Sequence, residues 1–168
     1  AMIEQGKSIP EQVRDGTKSA EFRYVAKKFI AYFQSFTNTY GPPARLKALY
    51  DAALLHPGMV GLSVATRPDC VNVESLEILD SYRDRYLVWI EYGLQSSHEG
   101  TLRKINRGHT VAAFETALSM AHRYGLNVCA HVILGLPGET PEMMRRTAFY
   151  LGGLPLEGVK IHLLYIAR

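Results

Sequence analysis

The chain has 168 residues, 47% of them apolar and 21% charged, a balance that suits one soluble domain with a sizeable core rather than a disordered or membrane chain. No apolar run is long enough to cross a bilayer, and Ala1-Met2-Ile3-Glu4-Gln5 lacks the basic-then-apolar pattern of a signal peptide, so a cytoplasmic location is expected. The net charge of +3 comes from scattered residues with only short clusters (Lys27-Lys28, Arg103-Lys104, Arg145-Arg146), which permits a nucleic-acid partner without supporting one.

In chain order, Ser8-Ile9-Pro10-Glu11 opens a helix expected over residues 8–23: Ser8 can cap it, Pro10 suits its first turn, and Glu11 stands at capping-box spacing. Short apolar, β-rich runs follow at Lys28 to Gln34, Val60 to Thr66, Leu87 to Gln95, Asn127 to Gly135 and Val159 to Ile166. Helix-like stretches separate them, at Pro42 to Leu55, Val73 to Arg85, Val111 to Tyr124 and Pro141 to Gly152. Strands alternating with helices imply parallel pairing with right-handed crossovers. A complete eight-fold barrel takes about 250 residues, so five units predict part of a barrel or an open sheet, with unpaired backbone at both borders that would seek a partner strand or a second copy.

Strand parity then sorts the side chains. In the Leu87 to Gln95 run, Val88, Ile90, Tyr92 and Leu94 form one set, leaving Leu87, Trp89, Glu91, Gly93 and Gln95 facing inward. In the next, Val128, Ala130, Val132 and Leu134 are apolar and Cys129, His131, Ile133 and Gly135 face in. The last puts Lys160, His162 and Leu164 opposite Val159, Ile161 and Leu163. The interior thus collects Glu91, Gln95, His131, Lys160 and His162, whose burial without partners would cost several kcal/mol each. Either Glu91 and Lys160 form a buried ion pair with the histidines hydrogen-bonded around it, or these groups line a polar pocket at the strand C-terminal ends, where barrel enzymes place their sites. Arg67 at the end of Thr66-Arg67-Pro68-Asp69 could hold an anion or pair with Asp69. Cys70 and Cys129 are too far apart in sequence to frame a disulfide scaffold or a self-contained metal site.

The most specific strings are Glu91-Tyr92-Gly93-Leu94-Gln95-Ser96, then Leu102, Ile105-Asn106-Arg107-Gly108-His109-Thr110, and Val132-Ile133-Leu134-Gly135-Leu136-Pro137-Gly138-Glu139. Their order, with Thr66-Arg67-Pro68-Asp69 ahead of them, resembles the radical S-adenosylmethionine (SAM) superfamily, and within it the YhcC-like proteins, from Ser8 through Ile166. The resemblance implies an α/β fold, a partial (β/α) TIM-type barrel in which the five runs are strands two to six of a six-unit core. It also implies SAM and a 4Fe-4S cluster held by a C-x3-C-x2-C loop after the first strand, an external electron donor, and hydrogen abstraction from an unknown substrate by a 5′-deoxyadenosyl radical. Related members modify transfer RNA. Carried over by position, Gln34 and Ser35 face the methionyl amino group, Glu91 and Gln95 the ribose, and the Ile133 to Pro137 bend, with Gly135, the adenine. Arg107 either meets the methionyl carboxylate or anchors its own loop. No cysteine precedes Cys70, so the first strand and cluster loop are expected upstream of Ala1, and the 168 residues, one truncated domain, are expected to be inactive and to assemble no cofactor. Two rivals stand beside this reading: a Schiff-base aldolase-type barrel using Lys160, and a binding domain that has lost its chemistry.

Overall fold

The computed structural model describes residues 6–165. The start at Ala1 to Gln5, and Ile166 at the expected end of the last strand, lie outside the described residues. Five parallel strands, β1 (Phe29–Phe33), β2 (Met59–Thr66), β3 (Leu87–Gln95), β4 (Asn127–Leu134) and β5 (Gly158–Leu163), pair in sequence order into one curved sheet, a half-barrel. Helices α1 (Ile9–Tyr24), α2 (Pro43–Ala53), α3 (Val73–Asp80), α4 (Glu99–Lys104), α5 (Val111–Arg123) and α6 (Pro141–Gly152) connect and flank the strands.

Local chemistry explains most boundaries. The Glu11 carboxylate accepts from both the Ser8 amide (2.8 Å) and the Ser8 hydroxyl (2.7 Å), closing the expected start of α1. Thr110 and Thr140 cap α5 and α6 through the amides of Ala113 and Met143. The α3 helix stops at Asp80 rather than continuing to Arg85. There the Ser81 hydroxyl donates to the Ile78 carbonyl (2.6 Å), and Tyr82 turns its phenol to Asp51 (2.6 Å), so 81–86 tighten into turns. The short α4 and a 3-10 turn at Pro68–Cys70 escape the periodicity of the sequence because each is too brief to show one.

Apolar parity holds where helices cover the sheet. Val88, Ile90, Tyr92, Leu94, Val128, Ala130 and Val132 are buried in one cluster with Leu62, Val64, Phe114, Ala117 and Leu118. The Tyr92 and Phe114 rings meet edge to face at 6.2 Å, and the Tyr92 phenol donates to the Ala117 carbonyl. The outer face of β5 differs: Val159, Ile161 and Leu163 are exposed among the described residues. No helix among the described residues is long and apolar enough to cross a membrane. Because Phe114 is fully buried between α5 and β3, Phe114→Ala is expected to cost about 3–5 kcal/mol, read as a lower urea midpoint with unchanged slope.

Candidate functional site

The concave face of the sheet is organised by one carboxylate. Glu91, at mid-strand on β3, receives a donor from every other strand: the Tyr32 phenol of β1 (2.9 Å), the Ser63 hydroxyl of β2 (2.5 Å), His131 Nε2 of β4 (2.5 Å) and Lys160 Nζ of β5 (2.6 Å). Lys160 also donates to Tyr32 (3.0 Å) and lies 4.4 Å from that ring's centre, so β5 and β1 are tied across the hollow. Burial alone would raise the Glu91 pKa, but the hydrogen bonds from His131, Lys160, Ser63 and Tyr32 outweigh it and hold the group well below its ordinary value. Burial would likewise lower Lys160, yet Glu91 and Tyr32 keep it above its usual value. An amine so held is a poor Schiff-base nucleophile, which removes the physical basis of the aldolase alternative. Burial pushes the Cys129 thiol up to about 11, and His162, half-buried with its ring centre 5.3 Å from that of His131, is held below its ordinary pKa chiefly by burial, with the nearby Lys160 ammonium adding to it.

Above this floor, at the strand C-terminal ends, the two most specific strings of the sequence form one device. The β3–β4 register slips between Gly93 and Gln95, and Gln95 takes a left-handed φ of 74°, a β-bulge that releases the Gly93 carbonyl from the ladder. That oxygen accepts from Arg107 Nη2 (2.7 Å) and Arg107 Nε (3.1 Å), with His109 Nε2 3.0 Å away. Gly93 is required here, since a Cβ at that position would collide with the Arg107 guanidinium and stand 2.7 Å from Gln95 Nε2. Arg107 therefore occupies the inward space that a side chain at position 93 would fill. Arg67 pairs with Asp69 through two short bonds (2.9 and 2.6 Å), so the loop-fixing reading of that pair holds.

The bend after β4 is tied to the bulge. Ser96 donates to Glu139 Oε1 (2.5 Å) and accepts from the His98 amide, while His98 Nε2 meets the Met143 carbonyl (2.8 Å) and Ser97 meets Thr147 (2.9 Å). Gly135, at φ 84°, has open space on its Cβ side, its nearest neighbour there being Leu164 at 4.0 Å. Of the residues singled out in the sequence, Gln95 and Arg107 come together beside Gly93, Ile133 lies near the end of β4 with Gly135 and Pro137 in the bend that follows, and Glu91 lies mid-strand on β3. Gln34 and Ser35 stand exposed in the loop after β1. Parity had not singled out Tyr32 or Ser63, because both sit in short runs where apolar residues occupy both faces.

A half-barrel of parallel β/α units with such a mouth defines a class, and the comparisons give the family. Residues 7–151 match the model of the Radical SAM superfamily, so the chain belongs to it. It is 39% identical over 166 residues to protein YhcC of Escherichia coli, covering 98% of the chain and 53% of that protein. It is 46% identical over 143 residues to the uncharacterized protein MJ0486 of Methanocaldococcus jannaschii, covering 84% of the chain and 44% of that protein. The chain thus spans about half the length of the curated relatives it matches. Among solved structures it resembles the Elp3 of Methanocaldococcus infernus (TM-score 0.79, 20% identity, 96% of this chain, 43% of that one) and coproporphyrinogen III oxidase, HemN, of Escherichia coli (TM-score 0.64, 19% identity, 93% and 37%).

The groups this family implies fit unequally. A 4Fe-4S cluster needs three thiolates, and the chain holds two cysteines, one in the turn after β2 and one in the middle of β4, so its own residues do not hold that cluster. At the end of β3 the Arg107 guanidinium and the Gln95 carboxamide stand together beside Gly93, groups of the type that hydrogen-bond a carboxylate and hydroxyls such as those of SAM. If Arg107 fills the space over Gly93, Gly93→Ala should cost about 1–3 kcal/mol through overpacking in the native background and markedly less in Arg107→Ala, read by urea unfolding of all four chains of the cycle.

Proposed function

We propose that this chain forms the SAM-binding half-barrel of a radical SAM enzyme whose cluster-binding cysteines belong to the remainder of the whole protein. The observation that carries the reading is the clamp on the Gly93 carbonyl, which sets Arg107 and Gln95 side by side at the C-terminal end of β3. In this arrangement Arg107 retains N–H donors for the methionyl carboxylate, because only its Nε and Nη2 are committed to Gly93. Gln95 offers its carboxamide to the ribose hydroxyls, and the Ile133 to Pro137 bend gives the adenine a flat apolar edge and free backbone groups. Gln34 and Ser35 face the methionyl amino group from the loop after β1. Glu91, already supplied with four donors, holds the floor of the hollow and keeps these walls in register.

The chemistry that SAM and the cluster supply in such an enzyme is hydrogen abstraction by a 5′-deoxyadenosyl radical, with the electron coming from an external donor. The residues of this chain position the cofactor and keep its reactive end inside the hollow. Family membership together with the fit of the mouth supports this assignment.

Two measurements test it. Anaerobic incubation of the chain with iron and sulfide should leave it short of four irons per chain, and cluster uptake by these residues alone would refute the division of labour. Titrating SAM into isotope-labelled protein should shift the amides of Gln95, Gly135 and Leu136, with Gln95→Ala weakening binding roughly five-fold for the loss of one hydrogen bond of about 1 kcal/mol. Shifts confined to other surfaces would overturn the site assignment.

A further inference from the structure

On the inward face of β3 and β4 three side chains of metal-ligating type converge. Glu91 and Cys129 are register partners on β3 and β4, and His131 lies two residues further along β4 on the same inward face. A carboxylate oxygen, the thiol sulfur and a ring nitrogen all lie within 4.8 Å of one another. Glu91 and Cys129 are buried, and the side chain of His131 is only 12% exposed. Glu91 and Cys129 line a concave opening of about 610 Å³, together with Lys160.

This position already favours a positive charge. The Lys160 ammonium stands 2.6 Å from Glu91 and 3.0 Å from the Tyr32 oxygen. That ammonium is replaceable: Lys160 belongs to the edge strand β5, its side chain is 37% exposed, and its four-carbon stem can carry the charge out to water. The mixed sulfur, nitrogen and oxygen donors are those of borderline-soft ions and unlike the all-oxygen shells of Mg²⁺ or Ca²⁺.

We propose that Glu91, Cys129 and His131 form a binding site for a single thiophilic divalent cation of the zinc type, which replaces the Lys160 ammonium on Glu91. Binding forms bonds from the ion to sulfur, nitrogen and oxygen, releases the thiol proton of Cys129 to solvent, and moves Lys160 outward with its proton retained; nothing is oxidised or reduced. The Glu91 to His131 separation, 2.5 Å in the metal-free chain, opens to about 3.4 Å for bonds of about 2.1 Å at a tetrahedral angle. His162, beside His131, or a water completes the shell. The site shares only Glu91 with the residues that the family resemblance gave to SAM, and Cys129 and His131 stand outside them.

Co(II) titration tests it, because a cobalt–thiolate bond produces an intense near-ultraviolet charge-transfer band. The expected result is a band saturating at a single Co(II) per chain, reversed by Zn(II), retained in Cys70→Ser and lost in Cys129→Ser. Lys160→Met should tighten binding about ten-fold by removing the competing cation, the opposite of what loss of a merely structural ion pair would do. Should Cys129→Ser fail to fold, His131→Asn serves instead, and is expected to keep the sulfur band while weakening affinity about ten-fold or more. Absence of the band from both wild type and Lys160→Met at millimolar Co(II), its survival in Cys129→Ser, or unchanged affinity in His131→Asn would overturn the proposal.

Discussion

A single carboxylate on the middle strand meets a side chain from each of the other four, and the shape of the hollow depends on it. Parallel strands carry no intrinsic reason to curve to a given radius; backbone ladders tolerate a range of twist and coil. The contacts of Glu91 with Tyr32, Ser63, His131 and Lys160 select one curvature, because four donors of fixed length must reach two oxygens. The side chains also differ in reach. Ser63, on the neighbouring strand, needs none, whereas Lys160 spans a gap from the far edge with its long stem and closes the ring to Tyr32.

Floor and mouth use opposite solutions to the same problem of burying polar groups. At the floor a charge is compensated by donors from every side, which fixes the group and leaves it little freedom to bind anything neutral. At the mouth a backbone carbonyl, freed by the bulge at Gly93, is compensated by a guanidinium with donors to spare. The first arrangement rigidifies the barrel, and the second presents hydrogen-bonding capacity to whatever enters from the strand ends. Ser96 and Glu139 couple the bulge to the next loop, so that the glycine-bearing bend is held rather than free.

Much of this was legible in the sequence. Alternation placed all five strands within a few residues and put Glu91, His131 and Lys160 on one face, because β3, β4 and β5 each have one plainly apolar set against which the polar set stands out. Of the two readings of Glu91 named from the sequence, the distances show the ion pair with Lys160. Tyr32 and Ser63 were hidden since β1 is apolar at every position and β2 is buried on both faces. The partnership of Gly93 with Arg107 and His109 could not be read from spacing at all, as it depends on a one-residue slip in the ladder. The carboxylate–thiol–imidazole cluster was missed for a related reason: its members lie 38 and 2 positions apart, and only strand register brings them together.

The account rests on Glu91 being an ionised hub, and acid unfolding in a chelator-treated, metal-free buffer tests this directly. Its folded pKa lies below the ordinary value of 4.5, so its stabilisation is fully present above about pH 4.5 and is lost as the pH falls beneath that value. The unfolding free energies of wild type and Glu91→Gln, followed from pH 7 to pH 3, should differ by about 1–3 kcal/mol at neutral pH, with the gap narrowing steadily below about pH 4.5. A constant gap between the two curves, or no gap at pH 7, would contradict the claim that this carboxylate, as an anion, holds the five strands together.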